Sequence, residues 1–269
     1  MKNKKIKINL TKLSGIYILW YREILMYLRS PIKVFTSIFL PILLLVFFGT
    51  GLDTLFPNIS LPYDFVEFFF PGILALSVTT MALSSTMSIV WDREFGFLKE
   101  ILVSPVPRSH IALGKILGAA TTGIIEGALL LLISPFLNIQ FSLKLYLEGL
   151  VIIFLIAYGM AALGIVLTAR MARTESFSFV LQIIIAPMVF LSGGLFPLTN
   201  SPIWMIKLAR FNPLTYGINS LRWAILENTL PIKIIQELTT SNFVSSLCIL
   251  IAFNFLITLL SIQLFKKIR

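Results

Sequence analysis

One acidic residue, Glu126, lies inside an otherwise apolar stretch of the sequence, between Gly123 and Gly127. A charged side chain at the centre of a bilayer costs about 2.5–3.5 kcal/mol on insertion scales, so a carboxyl group there points to a pathway or a proton relay. Asn254 is a lone amide in the last apolar stretch. Both residues are candidates for a path across a membrane. The alternative is a structural hydrogen bond between packed helices, which the spacing of the two glycines favours for Glu126.

The residue sets of common enzymes are missing from the sequence. His110 is the only histidine and Cys248 the only cysteine, so neither a catalytic triad nor a zinc or iron–sulfur site is expected. Gly114-Lys115 lacks the upstream glycine and the following hydroxyl of a phosphate-binding loop. We therefore expect no catalytic residue, no metal and no cofactor on this chain. The net charge of +10 lacks a nucleic-acid-binding motif, so no nucleic acid partner is expected.

Long apolar segments must position these residues. The chain is 57% hydrophobic and 13% charged, against about 25% charged in soluble domains. A bilayer core of about 30 Å needs about 20 apolar residues in a helix. Six such segments without Lys or Arg predict an all-α integral membrane protein, with one six-span domain over 34–265. The predicted transmembrane helices are at about 34–52, 70–91, 116–137, 149–169, 177–196 and 243–265.

The basic residues predict the orientation of these spans. With the N-terminus inside, 17 of the 22 Lys and Arg residues fall in the inner segments 1–33, 92–115, 170–176 and 266–269. Basic residues near span ends are retained on the cytoplasmic side. We therefore expect a multi-pass protein of the plasma membrane with both termini, the loop 92–115 and the tail 266–269 in the cytoplasm.

The sequence of residues 1–33 predicts an amphipathic helix on the inner membrane surface. Apolar residues recur close to i, i+3, i+4, i+7, while Arg22, Glu23 and Arg29 occupy other faces. Trp20 suits the depth of the interface, and the lysines before it would face anionic lipid.

The segment 197–242 is too broken to form a seventh span. Four prolines and several basic residues interrupt its apolar pieces, and a seventh span would move the basic C-terminal tail outside. We expect a re-entrant or interfacial pair of short helices on the outer face, with backbone groups paired to protein or water.

The inner loop 92–115 has a regular pattern of charged and apolar residues that a simple connection between spans does not require. Charged residues alternate with Phe95, Leu98, Ile101 and Leu102, which is the spacing of an amphipathic helix, and two prolines follow. The periodicity fits a helix that docks a partner and equally an ordinary interfacial helix.

Two motifs resemble the permease subunits of type 2 ABC exporters. The first is Asp-Arg-Glu-Phe-Gly at 92–96, followed by Leu-Lys-Glu-Ile-Leu-Val-Ser-Pro-Val-Pro-Arg at 98–108 and Leu-Gly-Lys at 113–115. The second is Phe-Pro at 196–197, then Asn-Pro-Leu-Thr-Tyr at 212–216 and Arg222. The family includes daunorubicin-resistance-like drug exporters and permeases for nodulation factors, polysaccharides and teichoic acids. The residues of the two motifs resemble the drug exporters most.

The resemblance implies roles for particular residues. The loop after the second span would be the coupling helix, which fits a cleft on a cytoplasmic ATPase. Its contact residues would be Arg93, Glu94, Phe95, Phe97, Leu98, Lys99 and Glu100. The N-terminal helix would be the family's interfacial gate helix, represented by Trp20, Arg22, Glu23 and Arg29. The re-entrant segment would line the outer exit through Pro197, Asn212, Pro213, Tyr216 and Arg222.

The resemblance also implies partners and an activity. ATP and Mg would bind a separate ABC ATPase present in two copies, and a second permease copy would complete a homodimer surrounded by membrane lipid. The expected function is outward transport of a drug-like, lipid-linked or polysaccharide substrate. The alternatives are a proton-coupled secondary transporter or channel that uses Glu126, which would need no ATPase, and a membrane scaffold that carries no flux.

Overall fold

The computed structural model describes residues 2–55, 63–137, 139, 142–199, 201–227 and 229–267. The end of the C-terminal tail, 268–269, and the side chains of the N-terminal lysines before residue 14 lie outside this description. Every regular element within the described ranges is helical. The α-helices are α1 (Lys2–Leu28), α2 (Pro31–Leu55), α3 (Phe65–Ser85), α4 (Met87–Glu94), α5 (Phe97–Val103), α6 (Arg108–Ile133), α7 (Leu143–Thr168), α8 (Thr174–Phe190), α9 (Ile203–Ala209), α10 (Pro213–Leu226), α11 (Ile232–Leu238) and α12 (Phe243–Lys266).

Five helical segments in the described part of the chain are long and apolar enough to cross a membrane. They are Pro31–Gly49, Phe65–Glu94, Arg108–Leu137, Leu143–Thr168 and Ile232–Lys266, and they coincide with five of the six predicted spans. The remaining prediction, 177–196, falls on α8, which has 17 residues. At 1.5 Å per residue α8 is about 26 Å long, slightly shorter than a bilayer core of about 30 Å. The prediction of an all-helical, multi-pass membrane protein is confirmed.

The segment predicted as the inner loop 92–115, with an amphipathic helix in it, is mostly helical. Residues 92–94 end α4, α5 follows, and α6 begins at Arg108, about two turns before the predicted start of its span. Lys115 was counted with the loop because of its charge, yet its side chain is 2% exposed and lies within α6. The non-helical residues are 95–96 and 104–107.

The centre of the bundle is formed by α3, α6 and α7. Gly127 of α6 lies where these three helices meet. A Cβ atom built there would lie 2.7 Å from a methyl group of Ile153 on α7 and 2.8 Å from one of Val78 on α3. The close packing expected from the glycine spacing is therefore present, because any larger residue would push the helices apart.

The two ends of the bundle differ in construction. We call one the α5 end; it contains α5, the turn between α7 and α8, and the last turn of α12, whose Lys266 carbonyl accepts a 2.7 Å hydrogen bond from Arg108 Nη1. We call the other the α10 end; it contains α9, α10 and α11. The peripheral helices α2, α8 and α12 expose large apolar side chains, such as Phe47, Phe179 and Phe255, each about two-thirds exposed. Such faces suit lipid or a second membrane protein.

Candidate functional site

Four charged side chains and one hydroxyl meet at the α5 end in what we call the charge cluster: Arg22 and Glu23 of α1, Ser88 and Asp92 of α4, and Lys115 of α6. Lys115 Nζ donates to Glu23 Oε1 at 2.6 Å and to Asp92 Oδ2 at 2.7 Å. Arg22 donates to both oxygens of Asp92, at 2.5 and 3.0 Å. Ser88 accepts from Lys115 at 3.2 Å and donates to Glu23 at 3.0 Å. The cluster therefore joins three helices.

The charge cluster is buried and electrically neutral. Glu23 and Asp92 are each 4% exposed and Lys115 is 2% exposed, while Arg22 reaches the surface. Buried charges persist only when they are paired and hydrogen-bonded, and each charge here has an opposite partner. The hydrogen bond that Arg22 donates to Asp92 raises the pKa of the Arg22 guanidinium above its ordinary value. Separating α1 from α4 or α6 would leave an unpaired charge in the protein interior.

Glu23 lies on the buried face of α1, so the prediction that it occupies a face away from the packed side of the helix is wrong. The buried positions of α1 include Gly15, Leu19, Glu23 and Tyr27, which follow each other at intervals of four residues. This line packs along α6. Apolar periodicity alone could not find it, because one of its members is a carboxylate whose partner is 92 residues away.

The other gate-helix candidates lie around this line. Trp20 is half-buried and its Nε1 donates to Thr121 Oγ1 of α6 at 2.9 Å. Arg29 is exposed, just after the end of α1. The hydrogen bond of Trp20 joins the second half of α1 to the middle of α6.

Two of the predicted coupling residues bind within the chain itself. Arg93 Nη1 donates to the backbone carbonyls of Thr168, at 3.2 Å, and of Met171. The carboxylate of Glu94 accepts from the backbone N–H of Thr174 at 3.0 Å and from its hydroxyl. Arg93 thus pairs with carbonyl groups at the end of α7, and Glu94 pairs with an N–H group at the start of α8, both of which a helix leaves unpaired. Together they attach the end of α4 to the turn between α7 and α8.

The remaining coupling candidates form a surface that we call the α5 face. Phe95 is 72% exposed and Phe97 is 56% exposed. Between them Gly96 has φ +85°, a conformation that favours glycine, and it turns the chain so that α5 is separate from α4. Lys99 and Glu100 are exposed, whereas Leu98 is buried and anchors α5 to the bundle. The amphipathic helix expected over 93–102 is therefore the shorter α5, whose exposed residues are Phe97, Lys99, Glu100 and Val103; Phe95 is exposed just before it.

The outer motif residues organise the α10 end. Asn212 is the N-cap of α10; its side chain accepts from the backbone N–H two residues later at 3.1 Å, and its Nδ2 donates to the Met188 carbonyl at 2.6 Å. Pro213 occupies the first turn, where its missing N–H leaves no bond unmade. The hydroxyl of Tyr216 donates to the Arg210 carbonyl at 2.7 Å. These contacts fix the start of α10 against α8 and α9.

Arg222 is the only charged residue of the second motif, and it is buried at 1% exposure. Its Nη1 donates to the Leu238 carbonyl at 2.8 Å and its Nη2 to the Gly193 carbonyl at 2.9 Å. The guanidinium also lies 4.4 Å from the centre of the Phe68 ring, a cation–π distance. Pro197 lies in the turn that follows Gly193, where its carbonyl accepts from Ser201. Three short helices form here, where a pair was expected, and Arg222 links α3, the turn after α8 and the end of α11.

The two path candidates lie in different places. Glu126 is 2% exposed, accepts a hydrogen bond from the Ser77 hydroxyl of α3, and lines a cavity of about 310 Å³. Asn254 of α12 donates to the Leu155 carbonyl of α7 at 2.9 Å. The structure thus gives Asn254 a bond between helices, and it places Glu126 at a cavity wall.

The chain is similar to known membrane permeases over most of its length. The family model for the ABC-2 type transporter matches residues 14–226, which include the charge cluster, the α5 face and Arg222. The putative transport permease ycf38 of Cyanophora paradoxa is 30% identical over 259 residues, covering 94% of this chain and 88% of that protein. Nodulation protein J of Rhizobium leguminosarum bv. trifolii is 29% identical, with 81% and 80% covered. The inner membrane transport permease YadH of Escherichia coli (strain K12) is 25% identical, with 77% and 81% covered.

Replacing the central cation of the charge cluster should destabilise the protein strongly. Lys115→Met keeps the length of the side chain but leaves Glu23 without its cation and Asp92 with Arg22 alone, so we expect a loss of about 3–5 kcal/mol. Unfolding of the detergent-purified variant, followed by circular dichroism, measures the loss. Lys144→Met is the matched control, because Lys144 is exposed and pairs with Glu148 and Glu227 at 3.5–3.8 Å. It should cost at most about 1 kcal/mol. Equal losses in both variants would contradict the role of the cluster.

Replacing Arg222 should loosen the α10 end. Arg222→Met leaves two buried carbonyls unpaired, which costs about 1–3 kcal/mol for each group. We expect faster limited proteolysis within 191–242 and a lower unfolding temperature. Arg210→Met is the control, since that side chain is exposed and its loss should change stability by no more than about 0.5 kcal/mol. A proteolysis rate for Arg222→Met that matches the control would show that Arg222 does not hold this end together.

Proposed function

The chain belongs to the ABC-2 type transporter family of membrane permeases, and from this premise we propose that it exports its substrate with energy from a separate ABC ATPase. The family expected from the two sequence motifs is confirmed. The exporting direction, the ATPase and the plasma membrane as its location are the proposal. YadH, a relative whose name places it in the inner membrane, supports that location.

The observation that carries the proposal is the exposure of the α5 face. Two phenylalanines beside a Lys–Glu pair remain uncovered, although Leu98 of the same short helix is buried in the bundle. Aromatic residues are enriched where proteins bind each other, and exposed apolar groups rimmed by charge mark such surfaces. The proposed ATPase contact consists of Phe95, Phe97, Lys99 and Glu100. Arg93 and Glu94 support it from behind by holding the turn between α7 and α8.

A rigid connection behind the α5 face allows movement of the ATPase to reach the membrane helices. Asp92, three residues before Phe95, is bonded to α1 and α6 through the charge cluster. Glu94 is bonded to α8. A displacement of α5 by the ATPase would therefore be transmitted to α1, α6 and α8 together. In this proposal α1 is the gate helix, and it moves with α6 because Lys115 fixes the two to each other.

The proposed membrane arrangement has six spans, with α8 as the short fifth and both termini in the cytoplasm. A span somewhat shorter than the bilayer is accommodated by local thinning or by flanking residues that reach the interface. The bond between Arg108 and Lys266 supports a cytoplasmic C-terminus, because it places the last turn of α12 at the α5 end. The five basic residues of the other segments leave the α10 end, with its re-entrant helices, on the outer side.

We propose a complex of two permease copies and two ATPase subunits. The exposed apolar faces of α2 and α12 leave room for a second copy beside lipid. ATP and Mg would bind the partner ATPase. On this chain Gly114 and Lys115 lie within α6, where Lys115 is engaged by two carboxylates and is not free to hold a phosphate. The substrate class proposed from the family is drug-like, lipid-linked or polysaccharide.

A second candidate function is transport coupled to protons through Glu126. Its buried carboxyl group at the wall of a cavity is the observation that favours this alternative. A carrier of this kind would transport without an ATPase, so the two candidates differ in whether flux requires ATP.

The α5 face gives a direct test of the ATPase contact. Changing Phe95 and Phe97 together to serine removes two exposed aromatics, and aromatic contacts of this kind commonly contribute about 2 kcal/mol or more to binding. We expect at least about a tenfold loss of the ATPase that co-purifies with the tagged chain from its native membranes. ATPase activity of the recovered complex measures the loss.

The matched control is Phe136→Ser at the opposite end of the bundle. Phe136 is 87% exposed, so the change is equally apolar-to-polar and equally superficial. Recovery of the ATPase should be normal with this variant. Normal recovery with the Phe95 and Phe97 double variant as well would argue against the α5 face as the docking surface.

A further inference from the structure

The cavity at Glu126 has the size and position of a ligand site. It lies between α2, α3 and α6 and has a volume of about 310 Å³, at the lower end of the range for small-molecule sites. Thr36 and Leu40 of α2 and Thr80 of α3 line it and are exposed at the surface of the bundle. The cavity therefore opens sideways between α2 and α3, at the exposed surface of the bundle.

The lining of the cavity changes from polar to apolar along its length. The polar residues lie toward the α5 end and are Lys33, Thr36, Ser37, Ser77, Thr80, Ser84 and Glu126. The side chains nearer the other end include Leu40, Leu44, Ile73 and Leu76. Because α2 and α3 run in opposite directions, the polar ends of both helices lie side by side. A ligand that matches this lining has a polar group at one end and an apolar body at the other.

The hydroxyl groups of the cavity offer acceptors. Thr36, Ser37 and Thr80 each donate their hydroxyl hydrogen to a carbonyl of their own helix, at 2.8–3.2 Å. Ser77 donates its hydrogen to Glu126. With these hydrogens used, the oxygen lone pairs remain for a ligand. The polar end of the cavity therefore suits a group that donates hydrogen bonds.

Glu126 has one oxygen that is available to such a group. Its Oε1 accepts from Ser77, while its Oε2 is buried and has no hydrogen-bond partner among the described residues. A buried carboxylate is strongly stabilised by an opposite charge. Lys33 is the only other charged residue that lines the cavity. It lies near the start of α2 and attracts Glu126 electrostatically, but among the described residues it makes no hydrogen bond or ion pair with that carboxylate.

We propose that this cavity binds an amphipathic amine, with the ammonium group on Glu126 Oε2 and the apolar body against Leu40, Leu44, Ile73 and Leu76. The ammonium supplies a positive charge and hydrogen-bond donors at Glu126 Oε2, which no described residue contacts through a hydrogen bond. As an assignment of substrate class, the inference rests on the proposed function. Two sources supply this chemistry: an aminophospholipid from the bilayer and a separate organic amine that enters from it.

Binding is tested on the full chain in phosphatidylcholine nanodiscs, without ATP or an ATPase subunit. The probes are a dansyl-labelled primary alkylamine and its N-acetylated, uncharged form, each followed by dansyl fluorescence. The amine should bind at least tenfold more tightly than its acetylated form. Equal affinity of the two probes for the unmodified chain would overturn the proposal.

Two variants test the charge of Glu126 and the location of the site. Glu126→Gln should abolish the preference for the amine and leave the acetylated probe unchanged, while Glu148→Gln, a carboxylate of α7 outside the cavity, should keep the preference. A preference retained in Glu126→Gln would overturn the proposal. Leu40→Trp narrows the cavity at an exposed position and should weaken both probes. If binding of both is unaffected by Leu40→Trp, the site lies elsewhere and the proposal is wrong.

One further experiment identifies the source of the amine, and its result does not depend on the proposed function. Phosphatidylethanolamine added to the nanodiscs should compete with the probe if the aminophospholipid is the ligand; undiminished probe binding assigns the site to a separate organic amine. Because no ATPase takes part, failure of amine binding leaves the proposed ATP-driven transport untouched. Loss of the ATPase contact would in turn leave the amine site in place.

Discussion

Lys115 sits between two carboxylates in the interior of the α5 end, and much of the proposed mechanism depends on that arrangement. An ammonium group buried to 2% exposure is tolerated because Glu23 and Asp92 lie 2.6 and 2.7 Å away. The same contacts couple α1, α4 and α6, so none of the three can move far alone without separating buried charges. Lys115 and Glu126 also lie on one continuous helix, about 16 Å apart along its axis. The coupling region and the cavity are therefore two parts of one rigid element.

The two ends of the molecule are stabilised by different kinds of polar contact. At the α5 end, side-chain charges pair with each other and with helix termini, and Phe95 and Phe97 remain exposed beside them. At the α10 end, the short helices leave many backbone groups unpaired, and the side chains of Asn212 and Arg222 satisfy several of them. In the proposed mechanism the α5 end transmits contact with the ATPase, whereas the α10 end holds an irregular backbone in place.

Sequence reasoning was strongest where a single physical property decides the structure. Apolar length predicts the long helices, and Asn212 followed by Pro213 is a local helix start that needs no distant partner. It is weakest for Lys115, Glu23 and Arg93, because the placement of these charges depends on partners 23 to 92 residues away. The span predicted to residue 196 ends at 190 because Gly193 adopts φ +79° and its carbonyl is held by Arg222. The sequence position of Glu126 predicts a pathway residue, but the cavity beside it forms only through the packing of α2 against α3.

The most direct measurement of the central claim is site-specific photocrosslinking in the native membrane. A benzophenone amino acid at position 97 on the α5 face is compared with the same amino acid at position 136 on the opposite end. The account predicts a crosslinked adduct with a nucleotide-binding ATPase subunit from position 97 and none from position 136. An ATPase adduct from position 136, or its absence from position 97 in a chain that folds and inserts normally, would contradict ATPase docking at the α5 end.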